Sequence, residues 1–526
     1  MLETQDLLES RYFRNGETSW EKLCRRVSQA LYPGRQPMGA DLYNALVGMY
    51  FLPSSPVLMN AGSPVPMLCS CFVLPVKDSI AEIMESLTNT VSIQKYGGGV
   101  GLNFSAIRPE GSRVNTTNGK ASGPVSFMGF WNEAMNVIRQ GGKRQGAMMG
   151  VLNFDHKDVH EFLIAKTVEG KLTNFNLSVG LTKEFFDDLA AGGNTMWPSN
   201  MTTTEIFNEI ALQAWGNGEP GWLYLDNINA HNPYGVPIEA TNPCGEVPLP
   251  PYGACCLGSL NLSKFLHQTD SGYIFDFDML RTYTANAVLY LNKVLDCTWW
   301  PLPKIWEFEM QYRPIGLGVM GLADVLACLG IPYASQQGRE MASRIIGTMR
   351  EEAEHTNHKY NLGNTTLLSV APTGTIAMIA DASYSIEPYF SLSSTKRTGL
   401  GVFVHEVSRV FDVADVFHYE LTAKDRQSIR ETGSIMSTNC PADMKEVLRT
   451  ATEMSWNDHI LMQAAVQSLV DNSVSKTINL PSETTVEEVG NILLLGHQLK
   501  LKGMTVYRNK SRAEEVIDCP TGTCAL

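Results

Sequence analysis

The chain is expected to fold as a large α/β domain behind a short helical lead-in. From Phe51 onward, apolar runs of strand length alternate with amphipathic helical stretches, whereas the apolar residues before it recur at helical spacing. The chain has 526 residues and 44% hydrophobic composition, enough to bury a sizeable core as one big domain or two to four modules.

Taken in order, Trp20, Leu23, Cys24, Val27 and Leu31 mark a helix that Pro33-Gly34 ends, so residues 1–50 are assigned to a helical N-terminal region. Residues 51–507 are assigned to the main domain, with strand-like runs at 71–76, 100–104, 147–154, 176–179 and 365–370. Between the first two runs, Ile80, Ile83, Met84, Leu87 and Val91 share one helical face. That helix is expected to start at Asp78, with Ser79-Ile80-Ala81-Glu82 fitting a capping box. Residues 508–526 turn polar and end in Cys519-Pro520-Thr521-Gly522-Thr523-Cys524-Ala525-Leu526, which has little to pack against and reads as a mobile tail. No internal repeat or low-complexity tract stands out.

Composition excludes several roles. A formal charge of -13 argues against a nonspecific nucleic-acid surface, while leaving room for a local basic pocket. The first residues carry neither a basic n-region nor an apolar h-region, and no apolar run approaches the ~18 residues of a membrane span. A cytoplasmic protein with no membrane partner is expected. Eleven cysteines, unevenly placed, suit a reducing compartment with selected reactive thiols better than a disulfide scaffold.

The chemistry concentrates at Asn242-Pro243-Cys244-Gly245-Glu246. Pro243 restricts Asn242 to extended geometry and Pro248, Pro250 and Pro251 stiffen the stretch after it, so Cys244 is presented on a rigid loop. In an extended segment Asn242, Cys244 and Glu246 project to one side and could face one substrate. The pentapeptide alone reads equally as a turn holding a buried cysteine. Three further cysteine groups tilt the balance: Cys69-Ser70-Cys71, Cys255-Cys256, and Cys519 with Cys524. Their spacings do not make the usual zinc knuckles, and a terminal dithiol on a polar tail suits thiol–disulfide exchange. Cys24, Cys297, Cys328 and Cys440 lie in ordinary surroundings and read as structural.

With these residues assembled, the chain resembles the catalytic subunit of ribonucleotide reductase, in its adenosylcobalamin-dependent class II form. The resemblance runs from about Arg11 to the last residue. It rests on the segments 54–62, 70–74, 97–105 (Gly97-Gly98-Gly99-Val100-Gly101-Leu102-Asn103-Phe104-Ser105), 141–147, 242–246, 371–376 and 385–388, in the family's order. The resemblance implies a ten-stranded α/β barrel of two antiparallel five-stranded half-sheets, with Cys244 on a finger loop threaded through the middle.

It also implies roles. Cys244 becomes a thiyl radical that takes the ribose 3′-hydrogen, Glu246 accepts the 3′-hydroxyl proton, and Asn242 holds the ribose hydroxyls. Cys71 and Cys255 are the reducing pair, with Cys69 and Cys256 as neighbours that blur the assignment. Cys519 and Cys524 re-reduce that pair and pass the oxidation to thioredoxin or glutaredoxin. Ser55, Ser70, Gly101 and the run Ala371, Pro372, Thr373, Gly374, Thr375, Ile376 are substrate-site positions; at Thr373 a plain helix N-cap is the competing reading. Asp78, Lys95 and Arg108 correspond to an effector site for a deoxynucleotide or ATP, and Lys143, Arg144 and Gln145 to the loop that signals effector identity. Asp78 also reads as a simple helix cap. The short spacing from Asp78 to Lys95 implies a homodimer.

Departures sharpen the class. Class I enzymes place adjacent tyrosines near the C-terminus, whereas the corresponding Met504-Thr505-Val506-Tyr507-Arg508 has one, and the class III glycyl-radical motif is missing. No ATP-cone fits in the first fifty residues. A class I large subunit that needs a metal-containing partner, and a nonradical thiol-redox or zinc protein, are the alternatives. The substrate is a ribonucleoside di- or triphosphate, and adenosylcobalamin follows from the resemblance alone. Gly316-Leu317-Gly318-Val319-Met320-Gly321 matches a dinucleotide fingerprint, but Tyr312-Arg313-Pro314-Ile315 makes a poor preceding strand, so NAD is not expected. No metal ligand set is assigned.

Overall fold

The computed structural model describes residues 2–34, 36–138, 146–270, 272–398 and 401–511. The lead-in is helical: α1 (Leu2–Leu7) passes into a π-helical turn at Leu8–Tyr12, followed by α2 (Trp20–Leu31) and α3 (Pro37–Val47). Ser19 caps α2 by accepting from Lys22 N, and Leu23, Cys24, Val27 and Leu31 are buried along one side. Pro37 sits in the first turn of α3, where its missing N–H is no loss.

Ten strands form one sheet: β1 (Phe51–Pro53), β2 (Cys71–Leu74), β3 (Gly99–Asn103), β4 (Met148–Asn153), β5 (Phe175–Leu181), β6 (Gly221–Tyr224), β7 (Ala254–Asn261), β8 (Ile315–Met320), β9 (Thr477–Leu480) and β10 (Gly503–Arg508). Strands β2 to β6 run parallel. At one side β10 joins β6 antiparallel and β9 follows β10 in parallel. At the other, β7 joins β2 antiparallel, β8 follows β7 in parallel, and β1 lies antiparallel along β7. The ring closes through 365–370: Leu317 N donates to Leu367 O at 2.8 Å, Ser369 N to Leu317 O at 3.1 Å, and Val370 N to Ser473 O at 3.2 Å. The result is the expected pair of half-sheets running antiparallel to one another.

One strand expectation is corrected. Residues 365–370 make isolated bridges rather than a continuous strand, because the Asp471 carboxylate takes the N–H groups of Leu367 and Leu368 at 3.0 and 3.1 Å. Tyr312 ends the helix Pro303–Tyr312 and Arg313 is its left-handed cap, so no strand precedes the glycine motif at 316–321, which itself largely is strand β8. Its glycines make room for the sheet: a Cβ at Gly316 would fall 2.4 Å from Leu257, and one at Gly318 2.4 Å from Ser369 O.

Outside the sheet lie α4 (Ser55–Asn60), α5 (Ile80–Gln94), α6 (Gly123–Val137), α7 (Phe277–Cys297), α8 (Pro303–Tyr312), α9 (Leu322–Cys328), α10 (Gly374–Ala380) and α11 (Trp456–Gln467). Ser79, not Asp78, caps α5: its hydroxyl accepts from Glu82 N and donates to the Glu82 carboxylate. Only part of the expected stripe is covered. Ile83 and Leu87 are buried, whereas Ile80 is 66% and Met84 43% exposed. Inside the barrel a separate apolar cluster, including Val73, Met149, Val151, Leu223 and Val247, packs around the residues 240–249.

Candidate active site

Residues 240–249 form a finger through the barrel. Ala240–Thr241 and Pro248–Leu249 make a two-residue antiparallel ladder, and Asn242 closes its end. Its N–H donates to Val247 O at 3.2 Å, its Oδ1 accepts from Val247 N at 2.9 Å, and its O accepts from Gly245 N at 3.0 Å. Gly245, at φ +82°, supplies the left-handed residue this reversal needs. The segment is therefore a tight turn rather than the extended run anticipated, yet its three polar side chains converge. Cys244 is exposed while Asn242 and Glu246 are almost wholly buried.

Neighbouring strands grip the finger by its backbone. Asn103 Nδ2 donates to Glu239 O at 2.8 Å, Asn176 Nδ2 to Pro243 O at 2.8 Å, and both Ser369 Oγ and Ser473 N to Glu246 O at 2.9 Å. Gly101, expected in the substrate site, instead faces this backbone: a Cβ there would lie 1.8 Å from Thr241 O. It is a slot for the finger and does not line the cavity.

Cys71 meets the finger directly. Asn242 Nδ2 donates to Cys71 Sγ at 3.1 Å, Cys71 Sγ donates to Glu246 Oε1 at 3.9 Å, and Ser70 Oγ stands 3.4 Å from the same sulfur. Across the β2–β7 ladder the register partner of Cys71 is Cys255. The Cys255 thiol is pushed well above its ordinary value, first by burial and then by Cys71, Glu309 and Glu246, so it is held protonated. Cys69 and Cys256 are joined in a disulfide, Cα atoms 4.6 Å apart. That bond was unforeseen in the sequence; of these four cysteines, Cys71 and Cys255 are the two that remain as thiols. Among the described residues no cluster of three or more His, Cys, Asp or Glu could hold a metal ion.

These groups open into one cavity of about 270 Å3 that is continuous with solvent. Ser55, Ser70, Cys71, Asn242, Cys244, Glu246 and all of Ala371, Pro372, Thr373, Gly374, Thr375 and Ile376 line it; Cys255 lies behind Cys71. Gly97, Gly98 and Gly99 form another part of the wall. Thr373 stands at the N-cap of α10 with φ +59°, but its hydroxyl accepts from Ser385 N at 2.8 Å and does not cap the helix. A Cβ at Gly245 or Gly374 would meet nothing within 4 Å. The exposed thiol thus borders open space, a setting that admits a bulky cofactor beside it.

Several contributors carry no signal in the sequence. Tyr12 Oη lies 2.8 Å from Ser55 Oγ, tying the helical lead-in to the cavity wall, and Ser369, Ser473, Asn176 and Glu309 support the finger or β7. Each is a single polar residue in an unrelated segment, with no local pattern to mark it. Among the effector candidates, Asp78 accepts from Arg108 N at 3.1 Å and from its Nε at 2.7 Å. Lys95 does not join them: it sits past the far end of the 15-residue α5, about 20 Å along its axis. Lys143, Arg144, Gln145, Cys519 and Cys524 lie outside the described residues.

Comparison with known proteins agrees with this architecture. The family model for the ribonucleotide reductase all-alpha domain matches residues 4–66, and that for the ribonucleotide reductase barrel domain matches 69–200, 196–360 and 350–507. A vitamin B12-dependent ribonucleoside-diphosphate reductase of Thermoplasma acidophilum is 40% identical, over 90% of this chain and 65% of that protein. One of Mycobacterium tuberculosis with the same description is 38% identical over 98% of this chain and 80% of its own length. The chain thus spans just under two thirds of the first relative. The fold of the Actinobacillus ureae class Id ribonucleotide reductase alpha subunit superposes with a TM-score of 0.82, covering 97% of each chain at 23% identity. With the barrel, the finger and its cysteines in place and two relatives at this level of identity, the chain belongs to the ribonucleotide reductase family, beside its vitamin B12-dependent members.

Proposed function

We propose that the chain reduces ribonucleoside diphosphates to 2′-deoxyribonucleotides with adenosylcobalamin as its radical source. The observation that carries the reading is the convergence of Cys244, Glu246, Asn242 and Cys71 on one cavity, with Cys255 in register behind Cys71. The diphosphate substrate and the cofactor come from the descriptions of the relatives. When bound, adenosylcobalamin supplies the one-electron oxidant that a thiyl radical at Cys244 requires, and the open space beside Cys244, Gly245 and Gly374 suits its bulk.

The residues then divide the work. Cys244 Sγ takes the 3′-hydrogen of the ribose and later returns it. Glu246 accepts the 3′-hydroxyl proton, and Asn242, anchored through Oδ1 to Val247 N, steadies the ribose hydroxyls. Cys71 protonates the departing 2′-hydroxyl, which leaves as water. Cys71 and Cys255 supply two electrons and finish as a disulfide. The wall from Ala371 to Ile376, with Ser55 and Ser70, receives the phosphates and ribose. Cys519 and Cys524 restore the dithiol and hand the oxidation to thioredoxin or glutaredoxin, which fits a cytoplasmic setting.

A deoxynucleotide or ATP effector is assigned to the surface around Asp78 and Arg108, with Lys95 contributed at the opposite end of α5 and Lys143, Arg144 and Gln145 relaying its identity. The exposed apolar residues Ile80 and Met84 on α5 and Phe130 and Val137 on α6 support a second copy of this chain as the occupant of that face. A single tyrosine, Tyr507, on β10 supports cofactor-borne rather than partner-borne radical generation. The test is anaerobic turnover of a ribonucleoside diphosphate with adenosylcobalamin and dithiothreitol. The parent should form deoxynucleotide and Cys244→Ser none; turnover that instead required an added metal-containing partner would overturn the cofactor assignment.

A further inference from the structure

Behind the dithiol stands a carboxyl group that the mechanism above does not use. Glu309, near the end of α8, is fully buried, and its Oε1 accepts from the N–H of Ala254 at 3.1 Å, one residue before Cys255. Its Oε2 is enclosed and has no hydrogen-bond partner among the described residues. The surroundings are apolar and aromatic: Phe308 and Tyr312 on the same helix pack against the cluster that holds Tyr234, Cys71 and Cys255. Arg313, the nearest cation in sequence, pairs instead with Asp296 at 2.9 Å. An ionised carboxylate without a cation in such a place is strongly disfavoured, so the group is held as the neutral acid, its titration pushed well up by burial. It therefore carries a proton with no acceptor, beside a thiol that must lose and regain one.

We propose that Glu309 holds the proton that Cys255 takes back when the Cys71–Cys255 disulfide is reduced, a role that rests on the redox assignment made above. Cys71 lines the cavity and Cys255 does not, so an incoming dithiol reductant attacks at Cys71. Its thiolate forms a bond to Cys71 Sγ, the Cys71–Cys255 bond breaks, and the electron pair leaves on Cys255 Sγ. A thiolate there is buried against β2 with Glu246 and Glu309 as its acidic neighbours, a setting that opposes negative charge. Transfer of the Glu309 proton to Cys255 Sγ removes that charge from sulfur and makes it the better leaving group. The second thiol of the reductant gives its proton to solvent and displaces Cys71, which is protonated from the cavity, and Glu309 regains its proton from solvent. Two electrons pass to the protein and one disulfide forms on the reductant. The groups that set the pH response are Cys71, Cys255, Glu246, Tyr234 and Arg313.

Glu309→Gln keeps the acceptor for Ala254 N and removes the transferable proton. Pre-reduced parent and variant, given adenosylcobalamin and substrate for one turnover, should form equal product. Re-reduction of the resulting disulfide by dithiothreitol, followed by rapid alkylation and mass spectrometry, should be at least about tenfold slower in the variant and keep only the rise with pH that the dithiothreitol thiolate imposes. Glu309→Asp, which retains a proton, should recover both in part. Equal re-reduction rates for parent and Glu309→Gln would overturn the proposal, as would equally slow rates for Gln and Asp, which mark a packing role. Failure of the parent to form a Cys71–Cys255 disulfide in the single turnover would overturn the redox assignment itself, a different result.

Discussion

Cys71 receives a hydrogen bond from Asn242 and gives one to Glu246, so three groups of the site are set by one sulfur. What holds them there is the finger backbone, and at Gly101 the fit is closest. Gly101→Ala is expected to push the finger out of its slot, costing about 1–3 kcal/mol of stability in urea unfolding and abolishing turnover, though it touches no reacting group. Ser369→Ala should be milder, about 1 kcal/mol, because Ser473 N still donates to Glu246 O. That Cys71, Cys244, Asn242 and Glu246 gather at one cavity was legible because their side-chain chemistry is unusual in so short a span. Gly101 was not: a glycine shows in sequence that a side chain is absent, but not what occupies the space. Glu309 was hidden for the opposite reason, being one acid among several polar residues on a helix.

The strands β2 and β7 are clamped twice, by their ladder and by the Cys69–Cys256 disulfide, which closes a separation of 187 residues. Both sulfurs are fully buried, so dithiothreitol on the native protein should leave Cys69 and Cys256 unalkylated, while the same treatment in guanidinium should label both. Replacing both by Ala should lower stability by up to about 5 kcal/mol in the chain-entropy picture. On α11, His459 Nε2 donates to Ala451 O, and its Nδ1 faces Lys476, which is paired with Glu387. Burial, then Lys476, lowers its titration from 6.5 to about 3. The native ring is neutral, and below about pH 6.5 the unfolded chain takes the proton first. Stability should therefore fall as pH drops, by about 2 kcal/mol from pH 6.5 to 5, and His459→Gln should flatten that slope in denaturant titrations. Regular strands such as β3, β4 and β5 were legible from their apolar runs. Where 365–370 departs from regularity, the cause is a side chain, Asp471, about a hundred residues away, which no local pattern can reveal.

The barrel, its lead-in and the surface of α5 and α6 act together in the assembly proposed for the chain. Ile80→Glu with Met84→Glu should give a monomer by gel filtration and lose effector response, while basal turnover persists. The helical face was readable in sequence, but not which edge of it the fold leaves bare; that depends on how far β3 and α6 cover it. The bond between Tyr12 and Ser55 gives the lead-in a reach beyond packing. A phenol from the helical lead-in braces a hydroxyl on the cavity wall, so the lead-in is part of the vessel and not a handle attached to it. Grafting that region from a relative should change how tightly substrate is held even when every cysteine stays in place.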